Sequence, residues 1–244
     1  MDARQERILK QHVETDRLLG IDAVPVNQAT PTSMAASSDS NSLDRDAKLK
    51  ILQALDEDEI RVCEKCSLCE ERTNTVFGEG DADARLMFVG EAPGADEDQQ
   101  GRPFVGRAGQ LLEKMIIAMG LQRSDVFIAN TVKCRPPGNR TPTPAEVDTC
   151  WDYLLRQIEI INPEVIVTLG NPSTKRLLNT STGITKLRGT WNSFDGLLPD
   201  GPSIPVMPTF HPAYILRAYT EENRGKVWSD LQKVMERLGM PTGK

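Results

Sequence analysis

The chain has 244 residues, 39% hydrophobic and only 5% aromatic, with 29 Lys and Arg against 35 Asp and Glu for a net charge of -6. That length suits one domain with or without a tail, and no apolar run nears the ~18 residues of a membrane span. Five cysteines are too few and too uneven for a secreted disulfide scaffold, and the acidic balance argues against a surface coated in basic charge.

The acidity is uneven. Residues 1–62 hold 8 basic and 12 acidic side chains, so the remainder is nearly neutral. The chain opens on a polar run, Met1 to Glu6, with no signal-peptide core. Residues 2–19 can form a charged helix with a ragged apolar stripe (Ile8, Leu9, Val13, Leu18, Leu19). Residues 24–42 carry prolines and five serines without an aromatic, a composition that cannot offset its ordering entropy and reads as a disordered linker. A helix resumes near Asp44, with Leu49, Leu52 and Leu55 as its apolar face, and leads into Cys63. Residues 1–43 are therefore read as an N-terminal tail and 44–244 as the folded domain.

Strand, loop and helix then repeat. The run LMFV at 86–89 ends at Gly90, VFIA at 126–129 ends at Asn130, VIVTL at 165–169 ends at Gly170, and IPVMP at 204–208 completes four predicted strands. Helices are predicted over 109–119, over 143–160 and over 221–238. The second of these opens on Thr143-Pro144-Ala145-Glu146, an N-cap, a first-turn proline and a capping-box acid, and Pro163 stops it. Near-continuous apolar strands are buried on both faces. Alternation with helices predicts a three-layer α/β/α fold around a mostly parallel four-stranded sheet, with ligands beyond the carboxyl ends of the strands.

Cys63 and Cys66 form a C-x2-C pair, Cys69 follows at the same spacing, and Cys134 and Cys150 lie far downstream. A C-x2-C turn points two sulfurs at one site, and two distant cysteines can complete a soft-donor set. Unrelated buried thiols are the plainer alternative. Spacing separates neither zinc from an iron–sulfur cluster nor four ligands from five.

The polar loops follow the strands: GEAPGADEDQQGRPFVGRAGQLL from Gly90, NTVKCRPPGNRTP from Asn130, LG at 169–170, and TFHPAYILR from Thr209. Together with CEKCSLCEERTNTVFGEG from Cys63, in this order, they closely resemble the family 4 uracil-DNA glycosylases. The resemblance covers about residues 63–239 and leaves the first 60 or so outside it.

The resemblance implies an α/β/α enzyme that flips uracil out of DNA, hydrolyses its N-glycosidic bond and starts base-excision repair, leaving an abasic site. It implies a [4Fe-4S] cluster on Cys63, Cys66, Cys134 and Cys150. Cys69 is then a bystander, though the triple spacing leaves a ligand swap open. Gly90 and Ala92 in the first loop, Phe104 as a flat wall and Asn130 as the reader of the base edge would form the uracil pocket. An Asn carries both a donor and an acceptor, so a fixed Asn130 can match uracil and clash with cytosine. Otherwise Phe104 is a core aromatic and Asn130 a strand-end cap.

His211, in the HPA motif, is the candidate donor to the oxygen of the departing base, with its charge state left open. The best-known uracil glycosylases carry an aspartate in the first motif, where this chain has Ala92. Glu91 and Glu97 are the nearest carboxylates, available either to position water and stabilise positive charge or to bind loop amides. Tyr214, Ile215 and Leu216 are candidate wedges for the vacated stack. Arg217, Lys186, Arg188, Lys133 and Arg140 are candidate phosphate contacts.

The partner expected is uracil-containing DNA, acted on by a cytoplasmic monomer, with the tail a tether for a repair or replication protein. Rival readings are a non-catalytic protein that binds uracil or damaged DNA, and a zinc-stabilised interaction module. A covalent trap would use a histidine in an inserted loop, and the chain has none between Asn130 and Pro144.

Overall fold

A computed structural model describes residues 43–196 and 203–242. The predicted helix over 2–19 and the linker over 24–42 lie outside the described residues. Helix α1 (Arg45–Ala54) starts where Asp44 Oδ1 accepts from Ala47 N at 2.7 Å, and a π-helical stretch continues it over Leu55–Ile60. Leu52 and Leu55 are buried, but Leu49 is exposed. The apolar stripe is therefore narrower than the sequence pattern implies, because only one edge of the helix meets the domain.

The remaining elements are β1 (Glu79–Gly80), β2 (Leu86–Gly90), α2 (Ala95–Gln100), α3 (Arg107–Ala118), β3 (Phe127–Asn130), α4 (Pro144–Ile161), β4 (Val165–Leu169), α5 (Asn171–Leu177), α6 (Ile184–Leu187), β5 (Asn192–Phe194), β6 (Ile204–Thr209), α7 (Pro212–Arg217) and α8 (Glu221–Arg237). The capping box at α4 forms as its sequence requires. Glu146 N donates to Thr143 Oγ1 at 3.3 Å, and Thr143 N donates to Glu146 Oε2 at 2.7 Å.

The four predicted strands are the parallel centre of a sheet ordered β1-β3-β2-β4-β6-β5. The sheet has six strands rather than four, because short antiparallel strands β1 and β5 close its two edges. Neither edge strand has an apolar run to announce it. β1 exists because glycine lets the chain come close: a Cβ on Gly80, at φ +142°, would sit 1.8 Å from the Val126 carbonyl oxygen.

Alternate residues along each central strand feed opposite faces. Phe88, Ile128, Val167 and Met207 pack under α3 and α8, while Met87, Val89, Ala129, Ile166 and Val206 pack under α1, α4 and α5. These two cores make the three-layer α/β/α architecture. A smaller apolar cluster, with Leu55, Ile60, Leu68, Val132 and Tyr153, surrounds Cys134 and Cys150 at one end. Among the described residues no helix is long and apolar enough to cross a membrane.

Candidate active site

The loops after β2, β3, β4 and β6 converge on a cleft of about 620 Å³. This is the position expected for a ligand site in an open parallel sheet, beyond the carboxyl ends of its strands. The parallel register sets Gly90 opposite Asn130. A Cβ on Gly90 would meet Asn130 Oδ1 at 2.4 Å and Phe104 Cζ at 2.5 Å, so only glycine leaves room for both side chains. Asn130 is 2% exposed and lines the cleft, and its Oδ1 is buried with no hydrogen-bond partner. Phe104 is buried at φ +50°, its ring 5.7 Å from the His211 ring and inclined by 31°.

His211 caps the N-terminus of α7, where its Nδ1 accepts from Ala213 N at 3.0 Å. That bond uses the Nδ1 lone pair, so the ring proton sits on Nε2 and the imidazole is a neutral donor. Burial, with the Arg217 charge adding and Glu97 opposing, pushes its pKa down to about 4. Gly170, at φ +88°, permits the approach, since a Cβ there would lie 2.9 Å from His211 Cβ.

The two carboxylates divide. Glu97 Oε1 accepts from Val105 N and Gly106 N, both at 2.9 Å, and its Oε2 accepts from Gly94 N at 3.1 Å. It binds loop amides, the alternative to a free catalytic carboxylate. Glu91 lines the cleft beside Thr141, and burial, partly opposed by the Thr141 side chain, holds its pKa above the ordinary carboxylate value. Ala92 lines the same wall.

The expected DNA contacts separate more sharply. Tyr214 and Arg217 are exposed at the cleft, with the Tyr214 ring 4.9 Å from Phe210. Leu216 is half-buried against the core and Ile215 is fully buried, so Ile215 is no wedge. Lys186 is exposed on α6. Arg140 lies at the cleft but is bidentate on Glu146, at 2.8 and 2.7 Å.

Arg188 does not offer a free guanidinium. It is tied to the buried Asp230 and to the Lys226 carbonyl, over the Phe210 ring. Lys133 is 1% exposed and donates to the Asn130 carbonyl at 3.0 Å and to Gln157 Oε1 at 2.6 Å, so it cannot meet a phosphate. Both positions were expected at the surface because a cation in sequence carries no sign of its burial.

All five cysteines line one small pocket beside β3 and α4. Cys134 and Cys150 are buried; Cys63, Cys66 and Cys69 are half-buried. Arg72 Nη1 donates to Cys134 Sγ and Lys133 N to Cys150 Sγ, each at 3.3 Å. Burial pushes the Cys150 thiol up to about 11. Among the described residues, no three His, Cys, Asp or Glu side chains are drawn together as for a single metal ion.

Sequence reasoning missed Gly170, Gly109 and Thr141. The glycines carried a signal, since each abuts a motif residue, but a close approach shows only once the strands are placed.

The profile of the Uracil DNA glycosylase superfamily matches residues 77–232. A type-4 uracil-DNA glycosylase of Thermotoga maritima is 50% identical over 175 residues, which cover 71% of this chain and 88% of that one. The type-4 enzyme of Saccharolobus solfataricus is 48% identical over 74% of this chain and 84% of its own, and that of Archaeoglobus fulgidus 44% identical over 74% and 90%. Identity at this level across most of both chains, on a sheet whose strand ends carry the matching loops, makes this chain a member of the uracil-DNA glycosylase superfamily, in its type-4 branch.

Proposed function

We propose that the protein is a monofunctional uracil-DNA glycosylase that extrudes uracil from DNA, hydrolyses its N-glycosidic bond and leaves an abasic site for base-excision repair. The observation that carries this reading is the buried, unpartnered Oδ1 of Asn130. An orphaned acceptor in a buried site costs about 1–3 kcal/mol unless a ligand supplies a donor. The N3–H of uracil supplies one, whereas N3 of cytosine presents a lone pair to it.

Base flipping brings the uracil ring against Phe104. As the glycosidic bond breaks, negative charge gathers on the O2 of the departing base. The Nε2–H of His211, held neutral, donates to it and favours the transition state over the ground state. A neutral donor also avoids handing the leaving base a full proton. Glu91 is the carboxylate assigned to the incoming water and to the positive charge on the sugar. Glu97 holds the loop. Tyr214 and its neighbour Leu216 are assigned to the gap in the stack, and Arg217 to a phosphate contact.

The cysteine pocket fits a [4Fe-4S] cluster on Cys63, Cys66, Cys134 and Cys150, with Cys69 a neighbour. Its donors are all soft sulfur, and Arg72 sets a cation against one of them. Bound there, the cluster supplies a structural cross-link between the segment after α1, the loop after β3 and helix α4. The reading extends to a cytoplasmic monomer whose residues 44–244 form the catalytic domain and whose tail tethers a repair or replication partner.

Incubation with uracil-containing and cytosine-containing oligonucleotides, followed by alkali, tests the activity. Breaks only in the uracil strand are expected. Retention of uracil DNA without breaks would leave a binding protein instead. Visible absorbance under anaerobic conditions with iron and zinc analysis tests the cluster, and stoichiometric zinc without iron would reject it.

A further inference from the structure

Phe104 is the wall against which the proposed function stacks uracil, and it stands in a conformation an aromatic residue rarely adopts. At φ +50° its backbone is left-handed. For a bulky side chain this conformation is strained and persists only where surrounding contacts over-determine it.

Those contacts come from two sides. On the C-terminal side, Glu97 takes the Val105 and Gly106 amides. Bracketing the residue on both sides, Arg123, at the start of a single 3-10 turn ahead of β3, donates Nη1 to the Phe104 carbonyl at 3.1 Å and Nη2 to the preceding Pro103 carbonyl. Beneath, Gly109 backs onto the same peptide, where a Cβ would come 1.9 Å from the Phe104 carbonyl oxygen.

Arg123 is itself anchored. Its Nε donates to Glu79 Oε1 at 3.1 Å, and Arg102, one residue before Pro103, is bidentate on Glu79 at 2.9 and 2.7 Å. One carboxylate thus fixes both the guanidinium and the loop it holds. Glu79 sits in β1 between Gly78 and Gly80, at φ +140° and +142°, so the short edge strand brings it there. Serving two carbonyls and a carboxylate at once needs the planar fork of an arginine, which a lysine ammonium lacks.

We propose that Arg123, anchored by Glu79, is the positioning residue for uracil stacking. It holds Phe104 in the left-handed conformation that sets its ring beside His211. Arg123 lies outside the cleft lining and acts only through the Phe104 peptide. This assignment rests on the glycosylase reading.

A double-mutant cycle tests it, measuring kcat/KM on uracil DNA, inhibition by free uracil, affinity for undamaged DNA and Tm. In the parent background Arg123→Met should lower kcat/KM about ten- to a hundred-fold, as expected for a misplaced contact surface. It should weaken inhibition by free uracil and leave the affinity for undamaged DNA unchanged. In a Phe104→Ala background the same change should cost less than about two-fold, because the wall it positions is already gone.

Arg123→Lys, which keeps a donor, should recover part of the loss. It carries the same cycle if the methionine variant does not fold. Equal losses in both backgrounds, or a loss of kcat/KM with free-uracil inhibition intact, would overturn the assignment. A parent protein that leaves uracil DNA uncleaved defeats the glycosylase reading and this one with it. Cleavage with an additive cycle defeats this one alone.

Discussion

His211 is prepared by its neighbours before any substrate arrives. The Ala213 amide fixes which nitrogen holds the proton, and burial keeps the ring neutral. Replacing it by alanine should lower the single-turnover rate by about two orders of magnitude, the usual cost of one lost donor to a developing oxyanion, while DNA affinity stays close to that of the parent. The burial also has a stability signature. The folded-state pKa, about 4, lies below the ordinary 6.5, so the unfolded chain takes up the proton first. Its contribution is full above pH 6.5 and is lost as pH falls toward 4, so the denaturant midpoint should drop between pH 7 and 5 by more in the parent than in His211→Gln. Asn130→Asp should narrow the ratio of uracil to cytosine cleavage, because a carboxylate accepts from the N4–H of cytosine. An unchanged ratio would reduce Asn130 to a strand end.

Among the elements, the central strands and long helices were legible because their signals are local. Apolar runs, a capping box and a proline stop each act within a few residues. The edge strands were not legible, since β1 is defined by the approach of Gly80 to Val126 and β5 carries only Asn, Ser and Phe. The same limit explains the site. Ala92, Asn130, Phe104 and His211 could be placed in one cleft, with Gly90 behind it, from loop positions and family likeness. Whether a charged side chain is free to meet a ligand could not be read, because half-buried Arg188 and buried Lys133 are held by Asp230 and Gln157 on helices distant in sequence. Glu97 and Asp98 show a third case. Adjacent carboxylates on α2 both serve amides, Asp98 Oδ1 accepting from Thr73 N at 2.9 Å and Asn74 N at 3.3 Å. At the head of β2's loop, Gly90→Ala should strongly reduce cleavage, because its methyl group displaces Asn130 or Phe104. Circular dichroism should remain native, and unchanged kcat/KM would mean the pocket opens freely at that point.

Across the molecule, charge is segregated. Four of the six excess negative charges fall in residues 1–62, and the stretch from Cys63 onward is nearly neutral. With Arg188 tied to Asp230 and Lys133 buried, few free cations remain near the cleft among the described residues. Binding to undamaged DNA should therefore be weak, with a salt slope corresponding to only about two or three phosphates. A titration of affinity against salt concentration checks this, and a steep slope would reveal a wider basic surface. Deleting residues 1–43 should leave uracil cleavage intact.

The peptide from Asn130 to Cys134 joins the base-reading end of β3 to the sulfur pocket in four steps. Lys133 braces it at both ends, through the Asn130 carbonyl and the Cys150 sulfur. An oxidant reaching the cysteines need never enter the cleft to be felt there. On the glycosylase reading, damage at the sulfurs would loosen Asn130, and oxidative stress would erode the fidelity of base choice along with the stability of the fold.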